Sequence, residues 1–157
     1  MRMISIMNDQ INTNIILFET EEGNIAIPVT FDKETLWLSL KQISELFERD
    51  KSVISRHLSK IFDEEELDKN SVVAFFATTA SDDKIYNVEY FNLDAIISVG
   101  YRVNSRRGTQ FRKWSNKILK DYIQTGYAIN NTTISYQMVA NLGNTIFNYK
   151  FIEKLKS

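Results

Sequence analysis

Residues 39–62 read SLKQISELFERDKSVISRHLSKIF, and the reading of this stretch decides the fold. Leu40, Ile43, Leu46 and Phe47 recur at helical spacing and give a short helix one apolar face. Ser39 precedes them and Gln42 follows three residues later, the pattern of a capping box, so the helix is expected to start at Ser39. It is expected to stop at about Phe47. Glu48-Arg49-Asp50 is then a three-residue connection, with Asp50 as N-cap of a second helix from Lys51 to Phe62. That helix buries Ile54, Leu58 and Ile61, with Val53 at the margin. Two amphipathic helices joined so tightly read as a helix-turn-helix.

The outer face of the second helix carries the functional reading. Ser52, Ser55, Arg56 and Ser59 lie at i, i+3, i+4 and i+7 and so share one stripe, flanked by Lys51 and Lys60. Serines let a backbone approach base edges closely, and an arginine reaches guanine O6 and N7 with two hydrogen bonds. The free N–H groups at the helix N-terminus add a phosphate anchor. No acid occurs from Lys51 to Phe62. Ser52, Ser55, Arg56 and Ser59 are therefore the expected base readers of double-stranded DNA. The competing reading is an exposed helix face with no partner. His57, beside the stripe, reads equally as a phosphate or base contact and as a half-buried histidine.

Outward from this pair, Asn14 to Phe18 and Ile25 to Val29 are apolar and β-branched, with Glu21-Glu22-Gly23-Asn24 between them, and predict a β-hairpin. The only proline, Pro28, favours an edge position for the second strand. Leu36 to Leu38 is a short third strand. Ser71 to Thr79 and Lys84 to Phe91 are two more, joined by Ser81-Asp82-Asp83, and stand where a winged helix places its wing. Two acids at the tip make it a poor phosphate contact, so packing is its expected role.

Asn92 caps a helix from Leu93 to about Arg102, and a further helix runs from Thr109 to Gly126, the latter a left-handed C′ residue. The polar, basic loop 104–108 joins them. From Tyr101 to Lys120 seven cations occur without an acid. Arg102, Arg106, Arg107, Arg112 and Lys113, together with Lys51 and Lys60, are the expected phosphate contacts. After the polar break 130–133, Met138 to Leu155 suggests a helix apolar on more than one face, which needs cover from its own domain or another chain.

The fold class that follows is α+β: a winged-helix-like helix-turn-helix domain with an N-terminal β-hairpin and additional C-terminal helices. Residues 1–13 are read as a flexible N-terminus, 14–129 as the helix-turn-helix-containing domain, and 130–157 as a helical segment for oligomerisation. The 157 residues, 43% hydrophobic and 25% charged, suit one ordinary globular domain. The formal net charge of −1 argues against a nonspecific polycation, yet cations and acids are segregated along the chain. No apolar run approaches the roughly 18 residues that span a bilayer, so a cytoplasmic protein without membrane contact is expected. With no cysteine and one histidine, thiolate sites and histidine cages cannot be built within one chain, and no cofactor or metal is expected.

Leu36-Trp37-Leu38, Ser55-Arg56-His57-Leu58, the stretch VVAFFATTASDDKIYNVEYFNLDAIISVGYRVNSRRGTQFRKW (72–114) and LKDYIQTGYAIN (119–130) closely resemble the RhuM family of virulence-associated bacterial proteins. The resemblance runs from about Ile15 to Asn130. More distantly, the order of elements and Phe111-Arg112-Lys113-Trp114 resemble the DNA-binding domains of phage antirepressors of the BRO and KilA types. The resemblance implies a bacterial protein carried on mobile or prophage-like DNA with a regulatory role. The residues and the resemblance together predict a sequence-specific DNA-binding regulator, homodimeric through its C-terminal helix. The alternative is an antirepressor-like module that captures another protein, through the apolar C-terminal segment or the acidic run 63–66, and binds no DNA. A nuclease or toxin has little to build on, since no P-loop, dinucleotide-binding turn or metal-ligand spacing is present.

Overall fold

Ser39 closes a strand and opens a helix at the same residue, and the rest of the architecture is arranged around that corner. The computed structural model describes residues 3–4, 12–32 and 35–128. Its strands are β1 (Met3–Ile4), β2 (Asn12–Thr20), β3 (Gly23–Asp32), β4 (Thr35–Ser39), β5 (Val73–Thr79) and β6 (Ile85–Asn92). The helices are α1 (Leu40–Phe47), α2 (Lys51–Asp63), α3 (Lys69–Val72), α4 (Leu93–Arg102) and α5 (Arg106–Thr125). The fold is mixed α+β. The chain divides into two compact units, Met1–Asn116 and Lys117–Ser157. Most of the stretches expected to be a flexible N-terminus and an oligomerisation helix lie outside the described residues. Met3–Ile4, within the former, pairs in parallel with Phe75 and Phe76.

One sheet runs in the order β1-β5-β6-β4-β3-β2. The hairpin of β2 and β3 forms as expected, closed by Glu21-Glu22 with Gly23 at φ 138°. Pro28 does not mark an edge strand, because β3 lies between β2 and β4. The proline is tolerated because the β3–β4 register begins beyond it, at Thr30 opposite Trp37. β4 then pairs with the end of β6, Trp37 to Asn92, Leu38 to Phe91 and Ser39 to Tyr90.

Alternation along β4 separates two apolar clusters. Leu36 and Leu38 join the main core with Phe18, Ile43, Phe47, Ile54, Leu58, Ile61, Val99 and Phe111. Trp37 points to the other face of the sheet, where it packs with Ala74 and Phe76 and with the half-buried Tyr90.

Helix boundaries follow local hydrogen bonding. The capping box is complete: Gln42 N–H donates to Ser39 Oγ at 3.2 Å, and Ser39 N–H donates to Gln42 Oε1 at 2.8 Å. Ser39→Ala removes one of these bonds and is expected to lower stability by about 0.5–2 kcal/mol in a urea titration. No change in midpoint would show that α1 is held by tertiary packing alone. α5 begins at Arg106, three residues before the expected start. Ser105 is the reason: its Oγ accepts from Gly108 N–H at 2.9 Å, and its carbonyl accepts from Thr109 N–H at 3.0 Å. Most of the expected basic loop is thus the first turn of α5. Gly108 sits where that turn meets α4, since a Cβ there would lie 2.6 Å from Val103 Cγ1 and 2.7 Å from the Val103 carbonyl.

Candidate nucleic-acid interface

α2 presents the stripe that its periodicity predicts. Ile54, Leu58 and Ile61 are buried, and Ser52, Ser55, Arg56 and Ser59 are exposed on the opposite side, with Lys51 and Lys60 also exposed. Entry into the helix differs from expectation at Asp50. Its carboxylate makes no cap; instead its carbonyl accepts from Val53 N–H at 3.0 Å and Ile54 N–H at 3.1 Å. The preceding turn is held from α1: Glu48 is left-handed at φ 52°, Arg49 N–H donates to Ser44 O at 3.1 Å, and Ser44 Oγ donates to Arg49 O at 2.6 Å. Arg49 is left exposed within the link. It was not among the expected contacts, although a cation in the turn before a groove-entering helix is itself a signal.

The expected phosphate contacts divide into two groups. Arg102, Arg107 and Arg112 have work inside the fold. Arg102 Nη2 contacts Glu64 at 2.6 Å and Glu66 at 2.5 Å, tying α4 to the residues after α2. The hydrogen bond and charge of Arg102 hold the Glu64 carboxyl below its ordinary pKa, and both glutamates raise that of Arg102. Arg107, largely covered, pairs with Glu48 at 2.7 Å. Arg112 Nη1 donates to the carbonyls of Gly100 at 3.0 Å and Val103 at 2.8 Å, satisfying the C-terminal end of α4. A guanidinium committed in this way must give up charge-assisted or carbonyl bonds before it can hold a phosphate.

The same contacts engage Glu64 and Glu66 of the acidic run and leave both side chains partly exposed, at 57% and 41%. Arg106 pairs with Glu22, but both side chains are mostly exposed, and such a pair opens at little cost. Lys51, Lys60 and Lys113 are exposed. The hairpin tip is exposed from Ser81 to Asn87 rather than packed. Asp82 orders it, accepting from Lys84 N–H at 3.1 Å and Tyr86 Oη at 2.7 Å.

His57 is half-buried beside the stripe, and its pKa lies below 6.5 because of burial first and then the charges of Arg102, Arg56, Lys60 and Arg49. The imidazole is therefore neutral at pH 7. A base with a depressed folded pKa binds fewer protons than the unfolded chain, so its contribution to stability is lost as pH falls below the unfolded value near 6.5. The urea midpoint is expected to decline between pH 7.5 and 5.5, and His57→Gln should flatten that decline. An unchanged slope in the variant would contradict this environment for His57.

Among the described residues no group of three or more histidine, aspartate or glutamate side chains is placed to hold a metal ion. No described helix is long and apolar enough to cross a membrane.

No curated protein and no solved structure matches the chain. The model of the virulence protein RhuM family matches residues 71–156, just over half of the chain. The matched segment contains β5, β6, α4 and α5 and begins after α2, so it is narrower at the N-terminal side than the resemblance traced from Ile15. On that match, the chain belongs to the virulence protein RhuM family.

Proposed function

We propose that the chain is a sequence-specific double-stranded DNA-binding protein in which residues 39–62 act as a helix-turn-helix. The observation that carries this reading is the face of α2: Ser52, Ser55, Arg56 and Ser59 exposed together between Lys51 and Lys60, over a fully apolar inner face. The sheet supports it. The strand before the helix pair, β4, pairs with the second strand of the hairpin after it, the strand arrangement of a winged helix. On this reading the base contacts come from the stripe. Lys51, Lys60, Arg49 and Lys113 hold phosphates, and Arg106 joins them by releasing Glu22. The reading includes a regulatory role for mobile-element or virulence-associated genes, and the family's name accords with the virulence part of it. A two-fold dimer through the C-terminal segment would give the site a palindromic form.

Binding of fragmented genomic DNA, measured across salt concentrations, tests the proposal. With about five phosphates neutralised, log K should fall with log salt at a slope of roughly −4 to −5. Absent or salt-insensitive binding would end it.

One observation favours a second reading, the capture of a protein partner. The large apolar side chains that are exposed among the described residues, from Ile85 and Tyr86 through Leu93, Ile97 and Tyr101 to Ile123 and Tyr127, all fall inside the family-matched segment. One stoichiometric protein partner, with no retention of DNA, would favour that reading.

A further inference from the structure

Among the described residues, β6 is paired along nearly its whole length, Ile85 to Phe91, on one side only. On the β5 side its partners run from Val73↔Phe91 to Thr79↔Ile85. On the other side β4 reaches only Tyr90, Phe91 and Asn92, because the chain leaves the sheet at Ser39 to form α1. Among the described residues, 85–89 therefore have no strand partner on that side and present an open edge about 17 Å long at the ordinary rise per residue. Protected edges usually carry charged side chains, lysine above all, or proline or a bulge. Ile85-Tyr86-Asn87-Val88-Glu89 has no lysine, proline or bulge and a single charge, Glu89, at one end.

A groove of about 670 Å³ lies beside this edge, between it and α2. Its apolar lining includes Leu58 and Phe62, which suits alternate side chains of an extended segment better than a bare phosphodiester. Its charge is asymmetric. Lys41, Lys51 and Lys69 line it against one acid, Glu89. Lys41 is loosely engaged with Glu45 at 4.0 Å on an exposed surface, and the Lys69 ammonium lies 6.0 Å from the Phe62 ring centre.

We propose that this groove binds an acidic peptide segment of a partner protein in extended form, adding it as a strand to the 85–89 edge of β6. Backbone bonds to the edge supply the register, the apolar lining takes one row of side chains, and the three lysines select acids in the other row. The site stands whether or not DNA is a partner. Ser55 and Ser59 also line the groove, so on the DNA reading above peptide and DNA exclude each other.

The test uses the full chain without DNA and a blocked six-residue peptide alternating glutamate and valine, followed by amide chemical shifts. Saturable shifts confined to residues 85–89, the facing part of α2 and the segments around Lys41 and Lys69 are expected. So is slowed hydrogen exchange at alternate amides of 85–89. Lys41→Gln with Lys69→Gln, both exposed positions, should weaken binding at least fivefold. A peptide N-methylated along the edge-facing side should lose binding, which a purely electrostatic contact would not. Equal binding of the N-methylated peptide, equal binding of a lysine–valine peptide, shifts mapping elsewhere, or no saturation at millimolar peptide would each overturn the proposal. So would the aromatic acid 2-naphthoate producing the same shifts with higher affinity, which would assign the groove to a small molecule.

Discussion

Replacing Phe111 by alanine is expected to remove about 3–5 kcal/mol of stability. The ring is buried at 7% exposure and is the meeting point of the main core. Its centroid lies 5.5 Å from Phe18 on β2, 5.7 Å from Phe47 on α1 and 5.8 Å from Tyr101 on α4, each at a steep edge-to-face angle. Trp114, one turn further along α5, is 6.1 Å away. Edge-to-face pairs contribute beyond area burial, and here one substitution removes several of them. The backbone is built around the same ring: a Cβ on Gly100 would lie 2.5 Å from Phe111 Cδ1, so only glycine lets α4 approach so closely.

A domain of this size is stable by about 5–15 kcal/mol, so the variant should retain a much earlier urea midpoint or fail to fold at 37 °C. Phe111→Leu, which keeps most of the volume, should lose less than half as much. A loss below about 1.5 kcal/mol for Phe111→Ala would mean that the neighbouring rings close over the gap, and that α5 is fixed by its polar contacts instead.

Much of this core was legible before the structure, for a local reason. Leu40, Ile43, Leu46 and Phe47, and then Ile54, Leu58 and Ile61, repeat at helical spacing, and the Ser39–Gln42 capping box is a short-range signal. The link 48–50 between them was equally readable from its polarity. Sheet order was not, since the pairing of β4 with β6 joins residues some fifty positions apart and depends on where the chain turns into α1. The early start of α5 escaped because Ser105, which caps it, sits in a polar stretch whose composition also suits a loop.

What the arginines touch in the fold was the least legible part of the candidate site. A basic run in sequence says nothing about the acids that fold against it. Arg102 meets Glu64 and Glu66, and Arg107 meets Glu48. These are long-range pairs that no window of local charge reveals. The exposed face of α2 was legible because exposure of one helix face follows directly from burial of the opposite one.

Arg56→Ala is expected to cost about 1–3 kcal/mol in binding to the preferred DNA site, roughly 5- to 150-fold, and little on random duplex. The asymmetry follows from position. Arg56 is exposed in the middle of the serine stripe, where a guanidinium reaches a base edge with two parallel bonds. Arg56→Lys should not restore the site preference, because an ammonium cannot reproduce the fork. Lys113→Ala should behave differently, weakening all duplexes about equally and lowering the salt slope by roughly one.

Arg112→Ala should differ from both. Its guanidinium holds the carbonyls of Gly100 and Val103, so the loss should appear in the unfolding midpoint of the free protein before it appears in DNA affinity. The three variants thus separate base reading, phosphate holding and scaffold within one set of titrations. If Arg56→Ala lost affinity equally on specific and random DNA, Arg56 would be a phosphate contact and the stripe would not choose the site. If it lost none, α2 would not enter the groove at all, and the protein-partner reading would be the one left standing.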